Sequence, residues 1–143
     1  KPLNYKGNLI DDFELEFKDG RIVEFSAEIG YDTLKNLIET DEGSHYLGEI
    51  AFVPHNSPIS NTNIIYYNTL IDENASCHFA IGSSYLTCIE NGLTMTNDEK
   101  EKFGVNNSLI HVDFMVGCAE MNIVGIKEDG TEVQIFKVGN WAF

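Results

Sequence analysis

Between residues 13 and 25 apolar and charged side chains alternate, as FELEF, then KDG, then RIVEF. A period of two puts every second side chain on one face, the pattern of a strand with a core on one side and water on the other. Asp19-Gly20 supplies the left-handed positions of a tight turn, so the two segments pair as an antiparallel hairpin. The same design recurs in MNIVGI (121–126), KEDG and TEVQIFK (131–137). Two local hairpins predict a fold that is mostly antiparallel sheet.

The intervening segments add a few helices. YDTLKNLIET (31–40) spaces Leu34, Leu37 and Ile38 at helical intervals and stops before Gly43. YLGEIAFVP (46–54) predicts a strand closed by Pro54, and NSPISN (56–61) is turn chemistry in which Ser60 or Asn61 can cap the next segment. NIIYYNTLIDEN (63–74) fits a buried helix or a strand, and its length favours the helix. CHFAIGSSY (77–85) reads as a strand running into a glycine-serine loop. Thr96 and Glu99 have capping-box spacing before a short helix reaching Phe103. SLIHVDFMVG (108–117) is the clearest strand, with Ile110, Val112, Phe114 and Val116 on one face. The expected fold is α+β, a single strand-rich domain over 1–143 with mostly antiparallel sheet and two or three helices. No repeat, linker or low-complexity run interrupts it.

Charge narrows the partners. Nine basic residues against 23 acidic ones leave a net −14, with a pI near 4.4. Such a surface repels phosphate backbones and anionic membranes and attracts divalent cations. No window approaches the roughly 18–20 apolar residues of a membrane span. The opening KPLNYKGNLIDDF has neither an apolar signal core nor an initiating Met, so a piece of a longer protein is expected. Three cysteines (Cys77, Cys88, Cys118) without C-x-x-C spacing argue against a disulfide scaffold or zinc ribbon and point to a reducing cytoplasm.

The informative chemistry begins at His111-Val112-Asp113. On a strand the imidazole and the carboxylate project to the same side, where they can bind one metal or two adjacent ones. The bland alternative is a solvated face, but the strand reads as internal, and a buried Asp is costly unless paired or ligating. A second cluster runs from Asp72 and Glu73 to Cys77 and His78, with Tyr85 beyond the Gly82-Ser83-Ser84 loop. Cys77 and His78 are strand neighbours facing opposite ways, which excludes a thiol–imidazole catalytic pair and leaves Cys77 as a core residue. Tyr85 by itself reads as a core or rim aromatic. Glu49, amid apolar residues of a strand expected to be internal, is the third element. The acidic pairs Asp11/Asp12, Asp41/Glu42 and Glu99/Glu101, with His45 and His55, read as solvated surface. Glu49, Glu73, His78, His111 and Asp113 together suit zinc, cobalt or manganese. Spacing leaves open an aminopeptidase-like or phosphatase-like pair of metals or a structural ion.

At these residues the chain resembles a known family. LGEIAFVPHNSPIS, YYNTLIDENASCHFAIGSSY and NNSLIHVDFMVG are similar to blocks of the aminopeptidase T, aminopeptidase S and PepS group of thermophilic metalloaminopeptidases, and GNLIDDFELEFKDGRIVEFSAE, TDEG and the terminal GNW also fit. The resemblance covers nearly the whole chain. It implies a cytoplasmic enzyme, a homodimer when complete, that removes N-terminal residues from peptides by attack of water held by two divalent ions (Zn, Co or Mn). Carried over by motif, Glu49, His78, His111 and Asp113 match metal ligands, Tyr85 matches a catalytic tyrosine, and Glu73 matches a further acidic position that contacts metal, with either Glu73 or a Glu upstream of the matched region expected to shuttle the proton. The family's members are longer, with an N-terminal α/β domain and another metal-binding Glu ahead of the matched region. The chain therefore corresponds to the C-terminal metal-binding and catalytic portion. The competing expectation is an excised non-catalytic domain holding at most one ion. A phosphatase reading lacks basic residues to hold phosphate.

Overall fold

The computed structural model describes residues 2–143. Its contacts group into two compact units. One runs up to Ile50 and resumes over Phe79–Phe114, and the other comprises Ala51–His78 and Met115–Phe143.

The first unit is built on the predicted hairpin. Strands β1 (Leu3–Tyr5), β2 (Asn8–Lys18) and β3 (Arg21–Ile29) form an antiparallel sheet in that order. Phe13 opposes Ala27 and Leu15 opposes Phe25, with a register shift at Glu16/Phe17. Asp19 (φ 51°) and Gly20 (φ 80°) both lie in the left-handed region, as a two-residue turn matched to strand twist requires. Along β2 the half-buried Phe13, Leu15 and Phe17 alternate with exposed Glu14 and Glu16. Helix α1 (Tyr31–Ile38) buries Leu34, Leu37 and Ile38, the three residues its periodicity singled out.

A three-stranded sheet comes next, in the order β4 (Leu47–Ala51), β5 (His78–Gly82), β6 (His111–Met115). The first unit takes in all but the last residue of β4 and β6 and all but the first of β5. The strands carrying Glu49 and His111, expected to be internal, are the outer two, and β5 lies between them. Even so, Val112, Asp113 and Phe114 are buried in succession, so both faces of β6 are covered. The Phe114 ring meets Phe13 and Phe79 edge-on at 5.8 and 6.1 Å, and burying a side chain of that size contributes about 1.5–3 kcal/mol. Helix α3 (Asn97–Lys102) starts from a full capping box between Thr96 and Glu99, as its sequence predicts. The accepted backbone bond from Thr96 holds the Glu99 carboxyl below the usual range.

In the second unit, β7 (Ile123–Ile126) and β8 (Glu132–Lys137) form the other predicted hairpin, extended by β9 (Asn140–Trp141). Phe136 is fully buried there against the Trp141 ring at 4.5 Å and the Phe52 ring at 6.2 Å.

The expected helix over 63–74 is corrected. Only α2 (Thr69–Asp72) and a 3-10 turn (Glu73–Ala75) are helical. The buried Asp72 carboxylate accepts hydrogen bonds from the Tyr66 and Asn68 backbone N–H groups at 3.0 and 3.1 Å. Those bonds fold the preceding residues back, with Tyr67 at φ 55°, and Asn68 caps α2 through the Leu70 N–H. A side chain that satisfies backbone donors outside the helix competes with helical extension.

Candidate metal centre

Strand alternation on β6 turns His111 and Asp113 to one side and Val112 and Phe114 to the other. His111 Nε2 stands 3.3 Å from Asp113 Oδ1 and 3.4 Å from Glu49 Oε2 on β4. The other ring nitrogen, Nδ1, is 2.6 Å from the Ser83 carbonyl oxygen. A carbonyl only accepts, so Nδ1 carries the proton and, in neutral imidazole, Nε2 presents its lone pair to two carboxylates. Three electron-rich atoms converging without a proton or cation between them repel one another.

The spacing suits a cation. Ligands about 2.0–2.1 Å from a tetrahedral zinc sit about 3.3–3.4 Å apart. Along the same sheet, Glu49 on β4, His78 on β5 and Asp113 on β6 each offer one ligand atom, all within 4.8 Å of one another. His78 is 5% exposed, and its Nδ1 lies 3.1 Å from the Ser76 carbonyl, so both histidines are oriented through Nδ1 by backbone oxygen. Imidazoles held this way by an outer acceptor are the usual form of metal-ligating histidine.

Close backbone approach brings the strands to this spacing. A Cβ on Gly48 would run into the Gly82 and Ser83 carbonyl oxygens, and one on Gly82 (φ +99°) into the Ile110 carbonyl. The Gly82-Ser83-Ser84 turn therefore lies flat against the start of β6, where Ser83 N–H donates to the Ile110 carbonyl at 2.7 Å. The turn leads to Tyr85, whose ring centroid is 4.5 Å from that of His111. Half-exposed and seated on a site residue, Tyr85 is neither a core aromatic nor remote from the site. Glu73 heads the 3-10 turn after α2, outside the group of converging ligand atoms.

Two supporting residues escaped the sequence reading. Asp41, expected to be solvated, accepts from Leu109 N–H at 2.6 Å, Ser108 Oγ at 2.8 Å and Ser44 N–H at 2.8 Å. The Leu109 bond, with weaker contributions from Ser108 and Ser44, holds its carboxyl below the usual range against the opposing effect of burial. Asp41 thereby anchors the segment entering β6. Asn106 bonds the Gly82 carbonyl from the other side of the turn. TDEG and NNS gave no local sign of either role, because their partners are far away in sequence.

Comparison with known proteins bears on this arrangement. Residues 1–141 match the model of the peptidase family described as thermophilic metalloprotease (M29). The chain belongs to that family. It is 59% identical over its whole length to "Aminopeptidase 2" of Geobacillus stearothermophilus and to "Aminopeptidase AmpS" of Bacillus subtilis (strain 168), covering 35% of each. It is 40% identical to "Aminopeptidase T" of Thermus aquaticus, covering 99% of this chain and 34% of that protein. Among solved structures, wild-type AmpT from Thermus thermophilus superposes with a TM-score of 0.92 at 40% identity, over all of this chain and 35% of that one. The chain thus spans about a third of the length of these metalloprotease relatives. Its α+β fold is that of the structural relative, and its Glu/His/Asp group could hold metal.

Proposed function

We propose that the chain carries the metal-binding and catalytic portion of a dinuclear-metal aminopeptidase that removes N-terminal residues from peptides. The observation that carries this reading is His111, with Nδ1 fixed by Ser83 and Nε2 directed at Glu49 and Asp113. Glu49, His78, His111 and Asp113 hold the ions in this proposal, with Glu73 as a further acidic contact. Two carboxylates and two imidazoles would offer the ions a mixed set of anionic and neutral donors, suited to zinc, cobalt or manganese.

Held by these residues, divalent ions would supply Lewis-acid polarisation of the scissile carbonyl and a water acidic enough to attack at neutral pH. The chain's own groups do the rest. Tyr85, over the His111 ring, donates its hydroxyl proton as a hydrogen bond to the oxyanion that develops on the substrate carbonyl. Glu73 accepts a proton and returns it to the departing amine.

Among the described residues no helix is long and apolar enough to cross a membrane, and the three cysteines form no disulfide. We assign the complete protein to the cytoplasm as a homodimer on the family resemblance. The test is leucyl-peptide hydrolysis by the complete protein after chelation and after return of Zn²⁺, Co²⁺ or Mn²⁺. Restoration of activity with close to two ions per chain is expected. Unchanged activity in the metal-stripped protein would sink the proposal.

A further inference from the structure

Asn106 reaches the Gly82-Ser83-Ser84 turn from two directions. Its side-chain Nδ2 donates to the Gly82 carbonyl at 2.6 Å and to the Gly43 carbonyl at 2.8 Å. Its backbone N–H donates to Ser84 Oγ at 3.2 Å, and its carbonyl accepts from Ser84 N–H at 2.9 Å. Ser83, the residue between these two attachment points, contributes the carbonyl that accepts from His111 Nδ1 at 2.6 Å. The Gly82 carbonyl belongs to the peptide plane before Ser83 and the Ser84 N–H to the plane that carries the Ser83 carbonyl, so Asn106 holds both planes flanking Ser83 and the carbonyl cannot turn away without breaking one of these bonds. Asn106 itself is half-buried.

We infer that Asn106 is a positioning residue for the metal centre, acting through the Ser83 carbonyl to fix the orientation and proton location of His111. This rests on the reading of His111 as a ligand. Asparagine suits the task because one amide NH₂ can donate to two carbonyls at once, here those of Gly43 and Gly82. The link spans the 43–46 segment and the turn, so it braces the turn against the entrance to β4, the strand that carries Glu49. Tyr85 is the next residue along, so the same clamp sets the base of the aromatic that lies on His111.

The experiment uses the complete protein and the variants Asn106→Ala, His111→Ala and the double substitution, each checked for cooperative unfolding. In metal-free protein carrying ¹⁵N-labelled histidine, the Nδ1–H signal assigned to His111 is expected to shift or broaden away in Asn106→Ala. In Co²⁺ titrations Asn106→Ala is expected to lose affinity by about 10–100-fold, as outer-partner substitutions do, with an altered visible spectrum. Combined with His111→Ala, it should add less than about twofold, because coupled residues fail to add. If Asn106→Ala does not fold, Ser84→Ala removes one attachment of the same turn and should produce the same shift and non-additivity at smaller amplitude. A folded Asn106→Ala (or Ser84→Ala in its place) that keeps the wild-type Nδ1–H signal overturns the inference. So does full additivity with His111→Ala. If the signal is lost while His111→Ala leaves Co²⁺ affinity unchanged, the ligand reading falls and the positioning of the imidazole stands.

Discussion

His111 Nε2 lies 3.3 Å from Asp113 Oδ1, two residues further along the same strand. A strand brings such side chains to one face but leaves them apart unless something turns one toward the other, and here the Ser83 carbonyl sets the imidazole. The pair then meets Glu49, reaching in from another strand at 3.4 Å from the same nitrogen.

Removing a member of this set is expected to weaken metal binding beyond the about 10–100-fold cost of losing an outer partner. His111→Ala and Asp113→Asn are the variants, and Co²⁺ titration under reducing conditions is the measurement. Metal should also raise the wild-type unfolding temperature, since ligand at about 100 times its Kd adds about 2.7 kcal/mol. Equal affinity in His111→Ala and wild type would remove His111 from the ligand set.

Tyr85→Phe keeps the ring against His111 and deletes the hydroxyl. In the complete enzyme kcat for leucyl peptides should fall by about 10²–10³-fold, the usual cost of losing an oxyanion donor. Metal content should not change, and elemental analysis alongside the kinetics checks this. Loss of metal in the variant would assign Tyr85 a structural role instead.

Asp41 makes stability depend on pH. Its carboxyl is held below the ordinary 3.8 first by the Leu109 N–H, then by the Ser108 and Ser44 donors. A depressed carboxyl stabilises the fold above its unfolded pKa, and that contribution disappears as pH falls through the folded value. Asp41→Asn should therefore melt below wild type at neutral pH, with the gap closing under acid conditions. Thermal melts of both proteins from pH 7 down to about pH 2 read this directly. A gap that stays constant would mean the carboxylate's charge plays no part.

Asp72→Ala deletes the acceptor of two backbone donors. A hydrogen bond to a charged group is worth about 1.5–3 kcal/mol, so a loss of that order is expected in denaturant unfolding. Amide exchange at Tyr66 and Asn68 should accelerate while Phe136, fully buried on β8, keeps its protection. Uniform acceleration across the chain would instead indicate global destabilisation.

Much of this protein was legible in its amino-acid order. The period-two runs at 13–25 and 121–137, the Asp19-Gly20 turn, the Leu34/Leu37/Ile38 stripe and the Thr96–Glu99 box each depend on neighbours within a few residues, and each forms as read. The shared face of His111 and Asp113 is likewise local, since alternation alone dictates it. Residues 63–68 depart from the expected helix because the Asp72 carboxylate, four to six residues on, accepts from their backbone N–H groups, a side-chain competition that apolar periodicity does not register. The tertiary structure decided which strands are outermost, that Glu49 reaches the His111 nitrogen, that the Ser83 carbonyl selects its tautomer, and that Asp41 and Asn106 brace the approach to the site. All of these join residues distant along the chain. Their distances are set by strand order and the close backbone packing at Gly48 and Gly82, quantities that exist only once the non-local sheet has formed.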